Sequence, residues 1–332
     1  MNDSHDKTSR SANRRPLRAK LIFNPGAGER SAAPGDLLGV VHAMQAWKLV
    51  PEVFLVEEGC DLPGAVRRAL AQDIRLFVVC GGDGTISAVA GLLAGAPATL
   101  GIIPSGTQNN VALSLGIPTE LAAAMAILRT GRRIKVDVGM AICANASTPF
   151  LEVCSTGLVS TLFPSADDLQ HGNLARAGDF LTTLVTSPPA EIHLVLDDKR
   201  EVRSQGYVVL VSNMPYIGRH YQVGGPTAFK DGLLDVLFFA DLSKLDLLAY
   251  LLQGADAGES KDPRIQRYRV RRVEIDTQPA MPIMADGQPL GEGQVRIQVR
   301  RRALTVMVGK PAPKTRPDPD VIDKAEAHAA AE

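Results

Sequence analysis

One stretch decides the fold of the first half of the chain, and it reads Phe77-Val78-Val79-Cys80-Gly81-Gly82-Asp83-Gly84-Thr85-Ile86-Ser87. An apolar run ends here in a turn that holds three glycines, one carboxylate and one hydroxyl. Short β-branched and aromatic runs are typical of buried parallel strands, and the glycines let the backbone turn sharply beneath a bulky anion. The small apolar residues from Ile86 to Leu93 suit a helix whose N-terminus faces that anion. The stretch therefore predicts a strand, a phosphate-binding turn and a helix.

The spacing of this turn excludes two better-known phosphate motifs. No Gly-Lys-Ser/Thr follows it, so it is not a Walker A loop, and it lacks the Gly-x-Gly-x-x-Gly of a dinucleotide fold. The open alternative is an ordinary glycine turn that joins a strand to a helix.

Strand-like and helix-like patterns alternate through the first half of the chain. The predicted strands are 18–23, 51–56, 75–80, 99–103 and 134–138, and the predicted helices are 35–48, 62–72, 85–94 and 119–130. Such alternation predicts an α/β domain with a parallel sheet and helices on both of its faces.

The second half is mainly strand-like. Its predicted strands are 150–154, 191–196, 202–212, 234–239, 267–276 and 295–308, and only 166–186 and 243–254 look helical. This pattern predicts a mainly antiparallel β domain. The expected division is a mobile tail at 1–16, an α/β domain over 17–138, a β-rich domain over 139–310, and a second mobile tail at 311–332.

The composition of the 332 residues excludes several classes of protein. With 36 basic and 36 acidic residues, the net charge favours no particular partner. The four cysteines show no C-x-x-C spacing, so neither a disulfide framework nor a zinc site is expected, and a reducing compartment fits. No apolar stretch approaches the roughly 20 residues of a spanning helix, and no signal-peptide h-region is present. We therefore expect a soluble or peripheral cytoplasmic protein.

Three turns of similar chemistry follow predicted parallel strands. They are Asn24-Pro25-Gly26-Ala27-Gly28, Gly81 to Thr85, and Pro104-Ser105-Gly106-Thr107-Gln108-Asn109-Asn110. Ligands bind at the carboxyl ends of strands in open α/β sheets, so the three turns should meet at one edge. Their backbone N–H groups can cradle phosphate oxygens, and Thr85 and Thr107 add hydroxyl donors. Together they predict a phosphate site.

These motifs resemble a known family, the bacterial diacylglycerol-kinase type of lipid kinase. That family carries Asn-Pro-x-x-Gly, Gly-Gly-Asp-Gly-Thr and Gly-Thr-x-Asn in this order. Four later segments follow the family's order as well, and they are Asn213, Gly224-Gly225-Pro226, Asp231 to Val236, and Ala285-Asp286-Gly287. Sphingosine kinases and NAD kinases share Gly-Gly-Asp-Gly-Thr, so the later segments narrow the resemblance.

The resemblance implies an NAD-kinase-like first domain and an ATP site in the cleft between the two domains. It also implies transfer of the γ-phosphoryl group to a lipid hydroxyl. The residues expected to contact nucleotide are Asn24, Pro25, Gly26, Ala27, Gly28, Gly81, Gly82, Asp83, Gly84, Thr85, Ile86, Ser87, Thr107 and Asn109.

Two Mg²⁺ ions are implied by the resemblance. Asp83 would hold the catalytic ion, since phosphoryl transfer relies on positioning and charge neutralisation. The alternative is that Asp83 caps the next helix. A structural ion would take a side-chain oxygen of Asp231 and the carbonyls of Ala228 and Leu233. The alternative there is a plain turn, because Lys230-Asp231-Gly232 is good turn chemistry without a metal.

Two amides stand where this family carries acids. The chain has Asp286-Gly287-Gln288 in place of Asp-Gly-Glu, and one of those carboxylates would serve as general base or metal ligand. An amide can do neither. Asp286 remains and could serve as the base, and the alternative is that the Glu position carries the base, which this chain has then lost at Gln288. Asn110 stands where many relatives have Asp. The carboxylates considered as replacements in space are Glu57, Glu58 and Glu292.

The expected partner is a lipid at a membrane surface. Arg264, Arg267, Arg269, Arg271 and Arg272 cluster, and Arg296 and Arg300 to Arg302 follow. This arginine ribbon is predicted to contact an anionic leaflet at the inner membrane face, and the alternative is a solvated face of the sheet. Nucleic acid is not expected, because few aromatics accompany the arginines. A homodimer is left open.

Acceptor recognition has weaker candidates in the sequence. Tyr216, Arg219, His220 and Tyr221 lie between two family segments, and the apolar stretches 179–187 and 245–252 could line a lipid pocket or be ordinary core.

Three functions compete at this point. The first is an ATP- and Mg²⁺-dependent lipid kinase acting on diacylglycerol or a related lipid. The second is a non-catalytic lipid- or nucleotide-binding relative that has lost its base, which Gln288 and Asn110 favour. The third is a kinase of a soluble acceptor such as NAD, against which the Asp231 to Val236 and Asp286-Gly287 segments argue.

Overall fold

The computed structural model describes residues 15–28, 37–144, 146–158, 188–217, 221–247 and 262–309. Several predictions fall wholly or mainly outside these residues. They are the two tails at 1–16 and 311–332, the helical pattern at 166–186, most of the pattern at 243–254, the stretch 179–187, most of 245–252, and Arg219 and His220.

The first part of the chain forms the predicted α/β unit. Its elements are β1 (Leu17–Phe23), α1 (Leu37–Ala46), β2 (Leu49–Leu55), α2 (Leu62–Ala71), β3 (Leu76–Gly81), α3 (Asp83–Leu93), β4 (Thr99–Pro104), α4 (Asn110–Ser114) and α5 (Leu121–Thr130). The four strands lie in the order β2-β1-β3-β4, and every pair is parallel. The parallel sheet predicted from the alternation is confirmed.

Helices cover both faces of this sheet. Strand β3 is buried along its whole length, so its apolar side chains need a helix layer on each side. Phe77 and Val79 point into a core shared with α2 and α3, whereas Val78 and Cys80 point into a core shared with α1 and α5. Successive side chains of a strand face opposite sides, so an unbroken apolar run can serve two helix layers.

The second part of the chain is the predicted antiparallel unit. Its strands are β5 (Arg132–Cys143), β6 (Ala146–Phe150), β7 (Val153–Gly157), β8 (Ala190–Leu196), β9 (Arg200–Ser212), β10 (Tyr216–Ile217), β11 (Tyr221–Gln222), β12 (Leu234–Ala240), β13 (Ile265–Val270), β14 (Arg272–Gln278), β15 (Pro282–Ala285), β16 (Gln288–Glu292) and β17 (Val295–Val308). A 3-10 turn at Ala228–Lys230 precedes β12. All strand pairs within this part are antiparallel.

The last strand joins the two parts into one sheet. β17 runs antiparallel to β5 along most of its length, and its residues Thr305 and Val306 pair in parallel with β4. The expectation that 134–138 is a fifth parallel strand is therefore wrong. It belongs to the longer β5, which pairs with β17 and begins the antiparallel part. The domain limits stay a prediction, but the end of β17 lies in the first unit's sheet.

Two predicted strands are interrupted in the structure. The run 150–154 is divided between β6 and β7 by Leu151 and Glu152, and the run 267–276 is divided by Arg271. The first break has a clear cause, because the backbone N–H groups of Leu151, Glu152 and Val153 all donate to the carboxylate of Asp286 instead of to a neighbouring strand. This break shapes the candidate active site.

Candidate active site

The three glycine-containing turns meet at the carboxyl ends of β1, β3 and β4. Asn24 Nδ2 donates to Thr85 Oγ1 at 2.8 Å, so the first turn is tied to the start of α3. Ser105 N donates to the Gly81 carbonyl at 3.1 Å, which ties the third turn to the second. The prediction that the three turns converge on one edge of the sheet is confirmed.

The turns approach each other so closely that only glycine fits at the contacts. A Cβ built on Gly106 would lie 2.5 Å from Gly82 Cα. Gly28 has a φ of +81°, and a Cβ there would lie 2.5 Å from the Ser105 carbonyl oxygen. Side chains at these positions would push the turns apart, so the glycines keep a concave backbone surface open.

This surface encloses a cavity of about 340 Å³. The residues that line it are Asn24, Ala27, Gly28, Gly82, Asp83, Gly84, Thr85, Gly106, Thr107 and Gln108. Helix α3 begins at Asp83, with Gly82 as its N-cap in an extended conformation, so first-turn N–H groups of a helix border the cavity. No lysine or arginine is among the ten lining residues. Backbone dipoles are thus the main positive groups that this part of the chain offers to an anion.

Most residues predicted to bind nucleotide line the cavity, but several do not. Pro25, Gly26 and Gly81 belong to the backbone of the turns, Ile86 is fully buried in the core, and Ser87 is buried as well. Asn109 shapes the third turn from within, because its amide both accepts from Gly106 N at 2.9 Å and donates to the Gly106 carbonyl at 2.6 Å. Gly106 and Gln108 are lining residues that the sequence did not single out.

Asp83 lies in the cavity wall and also caps a helix. Its two carboxylate oxygens accept from the backbone N–H groups of Asn110 and Val111, each at 3.0 Å. These are the first residues of the short helix α4, whose terminal donors need acceptors. The alternative role considered for Asp83, that of a helix cap, is therefore present, although the helix is α4 rather than the one that Asp83 begins.

A chain of contacts continues from Asp83 to Asp286. Asn110 is buried, and its Nδ2 donates to Glu152 Oε1 at 3.0 Å. Glu152 lies in the break between β6 and β7, and its backbone N–H donates to Asp286 Oδ1 at 3.0 Å. Asn213 braces the same break, since its Nδ2 donates to the carbonyls of Leu151 and Asp137. The second and third turns are thus linked to the hairpin that carries Asp286.

Asp286 occupies the turn of the β15–β16 hairpin. Asp286 and Gly287 both have positive φ, at 45° and 78°, which is the backbone of a two-residue type I′ turn and explains the Asp-Gly pair. The carboxylate accepts from three successive N–H groups at 2.6–3.0 Å. Burial raises the pKa of Asp286 above its usual range, although these backbone donors and the Ser87 hydroxyl oppose the shift.

Gln288 and the proposed replacement carboxylates lie apart from this chain of contacts. Gln288, Glu57, Glu58 and Glu292 are all exposed, and none of them lines the cavity. The carboxylate that stands against Asn110 is Glu152, which the sequence analysis missed. A single acidic residue within the apolar run from Phe150 to Cys154 was the available signal.

At the predicted structural metal site, Asp231 takes part in an ion pair. Asp231 Oδ2 pairs with Arg269 Nη2, and its Oδ1 accepts from Leu233 N at 2.9 Å. Arg269 Nε also lies 3.4 Å from Asp235 Oδ1. Among the described residues, no group of three or more His, Cys, Asp or Glu side chains is arranged to hold a metal. Arg269 thus contacts the carboxylate that the resemblance assigns to Mg²⁺, and the Ala228 carbonyl accepts from Asp231 N at 3.5 Å. The structural ion itself stays a prediction.

Much of the arginine ribbon is engaged within the protein. Arg264 pairs with Asp246 and Asp262, Arg272 with Asp198, and Arg296 with Glu274. Arg267 Nη1 donates to the Val223 carbonyl. Among the described arginines of this ribbon, those that are exposed and form no salt bridge are Arg271, Arg300, Arg301 and Arg302.

Comparison with known proteins agrees with this geometry. Residues 18–141 match the diacylglycerol kinase catalytic domain family, and residues 155–308 match the YegS C-terminal NAD kinase beta sandwich-like domain. A probable lipid kinase YegS-like from Pseudomonas aeruginosa is 31% identical over 274 residues, which cover 79% of this chain and 86% of the relative. A diacylglycerol kinase from Bacillus subtilis is 25% identical over 278 residues, covering 82% of this chain and 89% of the relative.

The fold has solved relatives as well. The crystal structure of a putative diacylglycerol kinase from Bacillus anthracis str. Sterne superposes with a TM-score of 0.69 at 23% identity, covering 89% of this chain and 98% of that one. The chain belongs to the diacylglycerol-kinase and YegS-like family of lipid kinases. The resemblance read from the motifs is confirmed, and so is the expectation of an enzyme of the lipid kinase class. None of the described helices has the length and apolarity needed to cross a bilayer.

Proposed function

We propose that this protein transfers the γ-phosphoryl group of ATP, with Mg²⁺, to a hydroxyl of diacylglycerol or a related lipid. The observation that carries the proposal is the cavity formed by the three turns at the carboxyl ends of β1, β3 and β4. Its glycines bring backbone N–H groups and the hydroxyls of Thr85 and Thr107 to one concave surface, which suits the oxygens of a triphosphate.

The charge of the cavity supports a need for Mg²⁺. Asp83 is the only charged residue among the ten that line it, and its charge is negative. A triphosphate placed there would meet backbone dipoles and, among the described residues that line the cavity, no basic side chain, so a divalent cation would supply the neutralisation that these residues lack. Asp83 is the residue that would hold it, through an oxygen or a bound water. The capping bonds to α4 fix the orientation of this carboxylate in advance.

Asp286 is the proposed general base for the lipid hydroxyl. Its carboxylate is fixed by the N–H groups of Leu151, Glu152 and Val153, and its pKa is raised by burial, which brings it closer to the range useful for proton transfer near neutrality. Gln288 can accept no proton. Asp286 would therefore be the one carboxylate of this hairpin that can act as general base, where the family pattern Asp-Gly-Glu offers two.

The lipid must come from a membrane, and we propose that the unpaired arginines face it. Val299 N donates to the Arg271 carbonyl, so Arg271 lies beside the run Arg300 to Arg302. Each basic residue near an anionic leaflet adds about 1 kcal/mol of attraction. Arg271→Glu with Arg301→Glu should abolish sedimentation with anionic phospholipid vesicles, while Arg75→Glu should not. Equal sedimentation of all three proteins would contradict membrane contact through this patch.

The function is tested by transfer of labelled γ-phosphate from ATP to micellar lipids, in wild type, Asp286→Asn and Gln288→Glu. We expect Mg²⁺-dependent labelling of a diacylglycerol-like lipid by wild type and a loss of about 100-fold or more in kcat in Asp286→Asn. Asp276→Asn on β14 is the matched control and should keep full activity. Retained activity in Asp286→Asn would exclude Asp286 as base.

The second candidate function is a binding protein that has lost its base, and Gln288 is the residue that favours it. In that case wild type would bind ATP but label no lipid, and Gln288→Glu would gain turnover. A homodimer and a position at the inner membrane face stay predictions.

A further inference from the structure

Asn110 and Glu152 form a buried acid–amide pair midway between the cavity and Asp286. The exposed fractions are 2% for Asn110 and 9% for Glu152, and Asn110 Nδ2 donates to Glu152 Oε1 at 3.0 Å. On one side the Asn110 backbone N–H binds Asp83, and on the other the Glu152 backbone N–H binds Asp286. The pair thus touches both proposed functional carboxylates through main-chain bonds.

The amide oxygen of Asn110 makes this pair unusual. Asn110 Oδ1 is buried and has no hydrogen-bond partner among the described residues, whereas the Nδ2 of the same amide is held by Glu152. A buried unpaired acceptor costs free energy and calls for an explanation, such as a ligand that is bound during function. Because Glu152 fixes Nδ2, it also fixes the direction in which Oδ1 points.

Together, Asn110 and Glu152 offer the acceptor oxygen and the negative charge that a single carboxylate would offer. A carboxylate at position 110 would offer a negative charge and an acceptor oxygen at the start of α4. Here the acceptor is Asn110 Oδ1, and the negative charge lies one hydrogen bond away on Glu152. A charge in a low-dielectric site acts over several ångströms. A negative charge on Glu152, one hydrogen bond away from Asn110, therefore still attracts a cation beside Asp83.

We propose that Glu152 is a positioning residue that supplies, through Asn110, a negative charge to the site beside Asp83. In this role it orients the Asn110 amide and strengthens the binding of the Mg²⁺–nucleotide complex beside Asp83. The inference rests on the proposed function for its effect on turnover, but its effect on binding stands separately. Glu152 lies in the break between β6 and β7, 42 residues further along the chain than Asn110.

The test exchanges the acid and the amide in four proteins: wild type, Glu152→Gln, Asn110→Asp and the double variant. Glu152→Gln keeps the shape and an acceptor for Asn110 Nδ2 but removes the charge. Asn110→Asp sets two carboxylates at hydrogen-bond distance, where they repel. The double variant restores one acid and one amide with their places exchanged. Glu191→Gln, which removes an exposed carboxylate on β8, is the matched control.

Three kinds of measurement are made on each protein: kinetics, which give kcat and KM for the lipid; the Kd for ATP with and without Mg²⁺; and the melting temperature. We expect Glu152→Gln to lose about tenfold in kcat and about fivefold in Mg²⁺–ATP affinity, with KM for the lipid and the Kd for metal-free ATP unchanged. Its melting temperature should stay near that of wild type. The double variant should return to within about threefold of wild type in both kcat and affinity.

Two results would overturn the inference. One is wild-type kcat and Mg²⁺–ATP affinity in Glu152→Gln, since the pair would then only fill space. The other is a double variant no better than Asn110→Asp, since the charge would then not be exchangeable. If wild type labels no lipid, the proposed function fails, and the Mg²⁺–ATP affinities of the same four proteins still decide the inference.

Discussion

Gly82 and Gly106 decide whether the second and third turns can meet. Their Cα atoms face each other, and a single added methyl on Gly106 would lie 2.5 Å from Gly82 Cα, against backbone that cannot move aside cheaply. The shape of the cavity therefore depends on glycine, which has no side chain, at both positions.

Gly106→Ala should raise the Kd for ATP by about tenfold or more, because the third turn must shift away from the first turn of α3 to accept the methyl group. Calorimetric titration of ATP measures this. Gly225→Ala is the control, since a Cβ there meets no heavy atom within 4 Å and should leave the Kd unchanged. Equal ATP affinity in both variants would show that the close approach of the turns is not needed for binding.

The 3-10 turn and β12 are held together by one guanidinium. Arg269 on β13 pairs with Asp231 after the turn and with Asp235 on β12. Burial is the main reason that the pKa of Asp235 is raised to about 6, with the charge of Arg269 opposing the shift and that of Asp231 adding to it. This element therefore couples folding to pH and to cations.

Ionisation of the buried Asp235 carboxyl should lower the free energy of unfolding as the pH rises. Its pKa in the folded state, about 6, lies above the ordinary 3.8, so its contribution is full below about pH 4 and is lost as the pH passes 6. Urea unfolding of wild type and Asp235→Asn should show wild type losing at most about 3 kcal/mol relative to the variant between pH 4 and pH 7. A difference in unfolding free energy that stays constant across this range would refute the raised pKa.

Arg269→Met should make folding responsive to Mg²⁺. Without the guanidinium, Asp231 and Asp235 repel each other, and we expect a loss of about 1 kcal/mol in unfolding free energy that millimolar Mg²⁺ restores. The melting temperature, measured without nucleotide, reports both effects. Arg296→Met, which breaks a comparably exposed pair with Glu274, should show no response to Mg²⁺. If wild type itself gains stability from Mg²⁺, the structural ion implied by the resemblance displaces Arg269.

The two halves of the molecule share one strand. β17 packs Val295 and Ile297 into the core of the antiparallel half, whereas Leu304, Val306 and Val308 lie in the core of the α/β half. A bulge between Arg300 and Leu304 carries the strand from one core to the other, and the buried Asp137 binds Arg302 N there.

Because of this shared strand, urea should unfold the two halves together. Trp47, the single tryptophan, reports the α/β half by fluorescence, and the five tyrosines, which all lie in the second half, report that half by their absorbance. We expect the same midpoint from both probes, and an equal shift of both probes in Val306→Ala and in Val295→Ala, each costing about 1–3 kcal/mol. Two separate midpoints would show that the halves are independent domains.

Local patterns in the sequence were sufficient for much of this fold. The strands β1 to β4 and the helices α1, α2, α3 and α5 follow from runs of apolar residues, their period and their glycine punctuation, which are properties of neighbouring residues. The short helix α4 was missed, because its five residues depend on a distant cap from Asp83. The hairpin β15–β16 was missed although Asp286-Gly287 is a strong turn signal.

The sequence by itself determined the α/β-then-antiparallel order, the family, and the three turns that build the cavity, since each is written in residues that are adjacent along the chain. Only the tertiary structure decided which carboxylate stands against Asn110, which cation meets Asp231, and where the strand 150–154 breaks. Those contacts join residues 42, 38 and about 134 positions apart. Hydrogen bonds over such separations depend on how the strands pack, and no local propensity specifies them.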